Sequence, residues 1–286
     1  MNMALPNARR ILRRGVSLDT FKFLAMAAAS SRPQQRKLCR RLLQPFARGG
    51  QVAVHFSVHG RRLAAWVRMD ELESDWMSVY ELGIRKIYRM DPEFAPELIV
   101  DGGGNTGIFT LTAASTYPGA KIVICEPVPH NLAQIKKHLQ RNAVPAEVLP
   151  VCIGGSPRTI PFYIREANQG SFDPRAPYRS AIDVEVVTLA SLVRAQPARR
   201  ILIKLDIEGM ELEALASYVP DEARAVCVVG ELHHHKSNAG ELERIFRSRG
   251  WIVNFEDVSD AGSNFDAWSP AALRYLAEQP DKCVAS

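Results

Sequence analysis

Apolar and polar positions change period along the chain, and the changes mark its elements. In "ILIKLDIE" (201–208) the side chains alternate. Ile201, Ile203, Leu205 and Ile207 share one face of a strand, and Leu202, Lys204, Asp206 and Glu208 the other. Similar runs recur from residue 97 onward, each followed by a stretch of helical period. "ELIVDGGG" predicts a strand and "NTGIFTLTAASTY" a helix; "KIVICEP" and "HNLAQIKKHLQRN" repeat the pair. "VLPVCIGG" reads as a third strand. "TIPFYIRE" and "AIDVEVVTL" read as an inserted β pair around a polar loop, 165–181, and "ASLVRA" as a short helix. "ILIKLD", "EGMELEALASY", "AVCVVGEL", "ELERIFRSRG" and "WIVNFEDV" continue the alternation. A further strand is due next, but "SNFDAWS" makes a poor one. "SPAALRYLAEQ" reads as a helix capped by Ser269, with Pro270 first. Repeated strand–helix units predict an α/β, doubly wound, mostly parallel sheet with helices on both faces. Ligands of such sheets sit outside the carboxyl ends of the strands, where Lys204, Asp206 and Glu208 crowd together.

Upstream the pattern differs. "QVAVHFSVHGRRLAAWVRM" (51–69) alternates around "HG" and predicts an antiparallel hairpin. Residues 70–94 read as helical, with Tyr80, Ile84, Ile87 and Tyr88 on one face. Residues 5–48 read as two or three short helices broken near Gly15, Pro33 and Pro45. The expected division is an N-terminal extension, 1–94, and a main domain, 95–286.

Charge sharpens that division. Residues 1–50 hold eleven Lys/Arg and one acid, Asp19, a net +10 that leaves −5 for the rest of a chain whose total is +5. The plainest reading is a helical extension with a solvated basic face, packed on the domain or pairing two subunits. No aromatic interleaving points to nucleic acid. The longest apolar stretch near the start, "FLAMAAA", is far short of the roughly 20 residues of a membrane span. With no signal-like segment, the expectation is a cytoplasmic protein. The five cysteines include no C-x-x-C pair, so buried reduced thiols are expected and a structural zinc site is not.

"VDGGGNTG" (100–107) carries the first chemistry. Glycines let a strand-to-helix turn approach a ligand closely. Gly102, Gly104 and Gly107 fit the dinucleotide pattern G-x-G-x-x-G. Asp101, Gly103 and Gly107 fit D-x-G-x-x-x-G, the first motif of S-adenosylmethionine (SAM) methyltransferases. An acid ending the strand suits a ligand with an ammonium group and would repel a pyrophosphate. Glu126, nineteen residues after Gly107, ends the second strand, where an acid accepts hydrogen bonds from ribose hydroxyls.

"DGGGNTG", "EPVPHNLAQIKKHLQRN" and "KLDIEGMELEAL", in that order, resemble the FkbM family of SAM-dependent methyltransferases. The matching positions are Asp101, Gly103, Asn105 and Gly107; Glu126, Pro127, Pro129, Asn131 and Asn142; and Lys204, Asp206, Glu208, Gly209 and Glu211. The resemblance covers about residues 97–255. Gly102 and Gly104 depart from it and are expected to loosen the turn. It implies a Rossmann-like class I methyltransferase fold. It also implies methyl transfer to a hydroxyl of a sugar or other natural product, with Asp101, Gly103, Asn105, Gly107, Glu126 and Pro127 on the cofactor.

The acceptor side is read from the second charged cluster. An alcohol must lose its proton as the new bond forms. Asp206 is the leading candidate for general base or metal ligand. Glu208 would share a cation or bind the acceptor, and Lys204 would pair with an acid and orient it. Glu231 is expected at a neighbouring strand tip, with His233 as a base or acceptor contact. Three consecutive histidines cannot aim at one ion, so a His233–His234–His235 zinc site is excluded. Asp206, Glu208 and Glu231 together would suit Mg²⁺. Asn131 and Gln134 also fit a helix-capping box. Gly170 and Ser171 are the positions of interest in the polar loop. The competing functions are an NAD(P)-dependent oxidoreductase, which lacks a recognisable catalytic set here, and a non-catalytic nucleoside-binding protein.

Overall fold

The computed structural model describes residues 49–279 apart from 166–169, 176 and 195, together with 43, 44 and 47. The basic helices expected over 5–48, and any subunit pairing through them, fall almost wholly outside the described residues. So do Cys39 and Cys283.

β1 (Gln51–Val58) and β2 (Arg61–Arg68) form the expected hairpin. His59 and Gly60 close it with φ of 46° and 75°, the left-handed pair that a tight two-residue turn demands. α1 (Leu72–Ser78) follows, and the chain then widens into a π-helical stretch over Val79–Arg85. Tyr88, expected on that helix, lies beyond it and is buried. Phe94, in a short 3-10 turn, packs edge-on against Trp268, with ring centres 5.5 Å apart.

The strand–helix alternation then runs as expected: β3 (Leu98–Gly102), α2 (Ile108–Thr116), β4 (Lys121–Cys125), α3 (Pro129–Asn142) and β5 (Glu147–Leu149). "VLPVCIGG" is not one strand. Pro150 has no N–H to give a ladder, and the chain breaks there into β5 and β6 (Val151–Gly154). β6 opens a second sheet with β7 (Arg158–Ile164), β8 (Gly170–Ser171) and β9 (Ser180–Thr188). α4 (Leu189–Arg194), β10 (Arg200–Leu205), α5 (Glu211–Ser217), β11 (Ala225–His233), α6 (His235–Arg247), β12 (Ile252–Glu256), β13 (Gly262–Trp268) and α7 (Pro270–Ala277) complete the chain. The main sheet has the order β12-β13-β11-β10-β3-β4-β5. Its strands from β11 to β5 are parallel, and β13 runs antiparallel to both its neighbours.

"SNFDAWS" is therefore a strand after all, one place from the edge. Its polar groups are paired where they are buried: Asp266 accepts from Trp268 Nε1 at 2.6 Å and from Asn254 Nδ2 at 2.9 Å. Two cores flank the sheet, and strand alternation sorts residues between them. Ile201, Ile203, Leu205 and Ile207 enter one, and Leu202 the other, on the side of the hairpin. Cys125, Cys152 and Cys227 are buried free thiols, as expected. No helix among the described residues is long and apolar enough to cross a membrane.

The hairpin is joined to α3 by side chains rather than by a third strand. Asn142 accepts from the Ala64 N–H and donates to the Ala64 carbonyl, both at 2.8 Å. One turn earlier, His138 Nε2 accepts from the Trp66 N–H at 2.8 Å, and one turn before that Gln134 donates to the Trp66 carbonyl. A four-residue step on a helix nearly matches a two-residue step on a strand, so the polar stripe 134, 138, 142 satisfies the edge of β2. Gln134 and Asn131 are thus used in packing. The expected capping box does not form: Val128 is the cap residue and makes no side-chain bond.

His138 must stay neutral in this seam, because Nε2 accepts while Nδ1 donates to the Thr106 carbonyl at 2.7 Å. Burial holds its pKa below the ordinary 6.5, against the opposing pull of that carbonyl. The unfolded chain therefore takes up the proton first as pH falls. The stability that His138 contributes is complete above about pH 6.5 and is lost as pH drops through the folded value, at no more than about 1.4 kcal/mol per pH unit. Urea unfolding of His138→Gln is expected to show a flatter pH dependence below 6.5 than the parent chain. An equal slope in both would remove His138 as its source.

Candidate active site

Each strand tip on the carboxyl edge of β4, β3, β10 and β11 delivers one piece of a single cavity of about 670 Å³. Gly103, Gly104, Asn105 and Thr106 form its glycine-turn end, with Glu126 and Pro127 beside them. Lys204, Asp206, Glu208, Glu231 and His233 form the other end, so the two expected clusters do converge.

The turn is held from below. Gly103 and Gly104 donate to the Cys125 carbonyl, and Gly103 has φ 73°. Gly107, φ 80°, caps α2 and is not among the cavity-lining residues. Gly102 and Gly104 do not loosen the turn. A Cβ at Gly102 would press on Ile153 Cδ1 at 2.8 Å, and one at Gly104 would overlap Ile124, so hydrophobic neighbours fill that space. Asp101, expected to meet a ligand ammonium, is wholly buried and outside the cavity lining. It accepts from Thr110 Oγ1 at 2.6 Å and lies 3.5 Å from Lys204 Nζ. Its charge serves the scaffold. Lys204 also donates to the carbonyls of Gly102 and Gly103, at 3.1 and 2.6 Å, and lies 3.9 Å from Asp206. The expected pairing of Lys204 with acids is met, and the same ammonium fixes the glycine turn.

Glu126 is buried at the tip of β4. Its Oε2 accepts from the Asn105 N–H at 2.7 Å; its Oε1 accepts from the Val128 N–H at 3.0 Å and from Asn131 Nδ2 at 3.3 Å. Burial pushes its pKa up to about 7 against those donors and the charge of Lys204. Asn105 Oδ1 and Thr106 Oγ1 are buried without a protein partner, and both residues line this end. An unused amide oxygen and an unused hydroxyl at the cavity wall fit a polar ligand.

The other end depends on how the chain leaves β10. It does not stay extended: Glu208 has φ 59° and Gly209 φ 100°. Glu208 reaches the cavity by this turn and not by strand alternation. Glu211, fully buried, accepts from the N–H groups of Ile207 and Gly209 at 3.0 and 3.2 Å and from His233 Nδ1 at 3.0 Å. One carboxylate oxygen thus holds both the turn and the imidazole. His233 Nε2 lies 3.7 Å from Glu208 Oε2. Burial alone would lower the His233 pKa, but the bond to Glu211 and the charges of Glu211, Asp206 and Glu208 outweigh it and hold it up at about 10. His233 thus enters the cavity with Nδ1 committed to Glu211, the arrangement by which a carboxylate orients an imidazole, and with Nε2 toward Glu208. Glu208 and Glu231 are pushed up to about 7, first by burial and then by the Asp206 charge. Asp206 is 31 % exposed and accepts from Tyr88 Oη at 3.3 Å.

The donor atoms that come within 4.8 Å of one another are those of Asp206, Glu231 and His233. Glu208, expected as the third ligand, is not in that trio. Mg²⁺ prefers oxygen donors and this trio includes an imidazole, so the expected Mg²⁺ set is not the one the fold brings together. Sequence reasoning missed Tyr88, whose place after the π-helical stretch has no periodic signal. Glu211, named in the third motif, was not expected to hold His233.

The profile of the Methyltransferase FkbM domain matches residues 101–253, more than half of the chain. The chain belongs to the FkbM methyltransferase family. A relative from Beauveria bassiana, "Methyltransferase 1", is 26% identical over 218 residues, covering 68% of this chain and 84% of its own length. The "31-O-demethyl-FK506 methyltransferase FkbM" of Streptomyces tacrolimicus is 24% identical over 190 residues, covering 55% and 73%. The solved FkbM methyltransferase of Methylobacillus flagellatus aligns at 13% identity and a TM-score of 0.44, over 91% of this chain and 60% of that one. This FkbM-family chain is a methyltransferase with a Rossmann-like fold, and the oxidoreductase alternative falls.

Proposed function

We propose that this methyltransferase uses SAM and transfers its methyl group to a hydroxyl of a sugar or other natural-product acceptor. The reading places it in the cytoplasm, acting on a small molecule or glycan. One observation carries it: a single cavity of about 670 Å³ lined at one end by Glu126 and the glycine turn and at the other by Asp206, Glu208 and Glu231. The Streptomyces relative supports the choice of oxygen, since its name puts the methyl on an oxygen of that protein's acceptor.

SAM supplies an already activated methyl on a positively charged sulfur. The chain's task is then to orient the acceptor, exclude water and take one proton. As the hydroxyl oxygen forms its bond to the methyl carbon, the carbon–sulfur bond breaks and the sulfur keeps the electron pair. The hydroxyl proton passes to the Asp206 carboxylate. Tyr88 and Lys204 hold that carboxylate from behind, and His233, a donor fixed by Glu211, offsets the surrounding acids. No step is routed through a metal ion.

Calorimetry with the full chain is expected to show SAM binding and no NAD binding. Incubation with methyl-labelled SAM and a panel of sugars, lipid-linked glycans and polyketides is expected to yield a labelled methyl ether. Absence of SAM binding would overturn the cofactor reading, and a label recovered on nitrogen or carbon the acceptor reading.

A further inference from the structure

Arg68 is one of the largest fully buried side chains in the described chain, and a guanidinium inside a protein is costly unless every donor is used. Asp75, on α1, takes two of them: Oδ2 accepts from Nε at 2.8 Å and Oδ1 from Nη2 at 2.6 Å. Nη1 donates to the His130 carbonyl at 3.4 Å. One more contact reaches the start of α3 through a side chain. Nη2 donates to Asn131 Oδ1 at 3.1 Å, near the start of α3.

That contact has a chemical consequence. A guanidinium only donates, so it can bond only the carbonyl oxygen of the Asn131 amide. The amide is thereby fixed in one of its two orientations, with Nδ2 turned toward Glu126 Oε1 at 3.3 Å. Oε1 then carries two donors, Asn131 and the Val128 N–H, whereas Oε2 carries one, the Asn105 N–H. Oε2 is therefore the less occupied of the two oxygens and the better placed to accept a further donor. Were the amide reversed, two oxygens would face each other and Glu126 would have to turn.

We propose that Arg68, which lies outside all three sequence motifs, is a positioning residue for recognition of the nucleoside's ribose hydroxyls, acting through Asn131 on Glu126. The proposal rests on the reading that the Glu126 end of the cavity binds a nucleoside. It makes the hairpin part of the cofactor site and not a passive extension of it.

The test is a cycle that varies the protein and the ligand together. The full chain and its Arg68→Met variant are titrated with S-adenosylhomocysteine and with its 2′,3′-dideoxy analogue. The parent chain is expected to prefer the hydroxyl-bearing ligand by about 100-fold, the scale of hydrogen bonds to a charged group. Arg68→Met is expected to narrow that preference to under about 10-fold while affinity for the dideoxy analogue holds. Arg68→Lys, which can still donate to the Asn131 oxygen, is expected to recover part of the preference. Equal losses for both ligands, or a preference unchanged in a folded variant, would overturn the proposal and leave Arg68 a structural tether. If Arg68→Met does not fold, Asn131→Asp carries the test. It keeps an acceptor for Arg68 and the same shape but sets a carboxylate oxygen where the donor to Glu126 was, which turns that contact repulsive, and the same narrowing is expected; an unchanged preference there overturns the proposal. A parent chain that binds neither ligand overturns the nucleoside reading itself and the proposal with it, an outcome distinct from equal losses in a variant.

Discussion

Asp206→Asn is expected to slow methyl transfer by about 10²–10⁴-fold while leaving SAM affinity within a few-fold of the parent. The substitution keeps shape and keeps an acceptor for Tyr88 Oη. What it removes is the ability to take the acceptor's proton. It also removes one charge from a crowded chamber, in which Asp206 pushes the pKa of both Glu208 and Glu231 upward. Those two groups should then ionise at lower pH, which offers a second readout by carboxyl titration. Single-turnover transfer of a labelled methyl to whichever acceptor the panel identifies measures the first effect. An undiminished rate would move the proton acceptor elsewhere in the chamber, with Glu231 next in line.

Gly103→Ala is expected to abolish cofactor binding and to destabilise the fold. Two effects combine there. The residue sits at φ 73°, which costs an alanine about 1–2 kcal/mol. Its Cβ would also overlap the Asp206 carbonyl oxygen, so the tips of β3 and β10 cannot remain together. Gly209→Ala is the control, because φ there is 100° and a Cβ meets nothing within 4 Å. Thermal unfolding should fall for both variants, but SAM affinity should collapse only for Gly103→Ala. Similar affinity in the two would show that backbone strain, not the meeting of the two strand tips, limits the site.

Much of this arrangement was legible in the sequence because burial repeats with the period of each element. The alternation in "ILIKLDIE" put Lys204 and Asp206 on the face opposite Ile203 and Leu205, and the two cores divide the residues in that way. The glycine turn, Glu126 and Asp206 lie at the strand tips as expected, whereas Glu208 arrives through the left-handed turn after β10. What escaped was set by partners far away in sequence. Asp266 looks unfit for an inner strand until Asn254 and Trp268 bond it. Pro150 splits one apolar run between two sheets, and only the second sheet reveals why. Asp101 fits a ligand-binding motif, yet Lys204 and Thr110 claim it. The contact between His233 and the buried Glu211 joins residues 22 apart and has no signal in the motif spacing. Motif spacing reports which groups gather; it does not report which of them are already spoken for.

The stripe of Gln134, His138 and Asn142 along the edge of β2 has a bearing on how the protein may be cut. A fragment begun near residue 95 would retain all three signature motifs and still be poorly behaved. Three amide or imidazole side chains of α3 would lose the backbone groups they complement, and the buried cluster that includes Ile108 and Leu139 would lose its members Val54, Phe56 and Leu63. Anyone trimming the enzyme for crystallisation or grafting it into a fusion should therefore start before Gln51, and treat hairpin and catalytic sheet as one folding cargo.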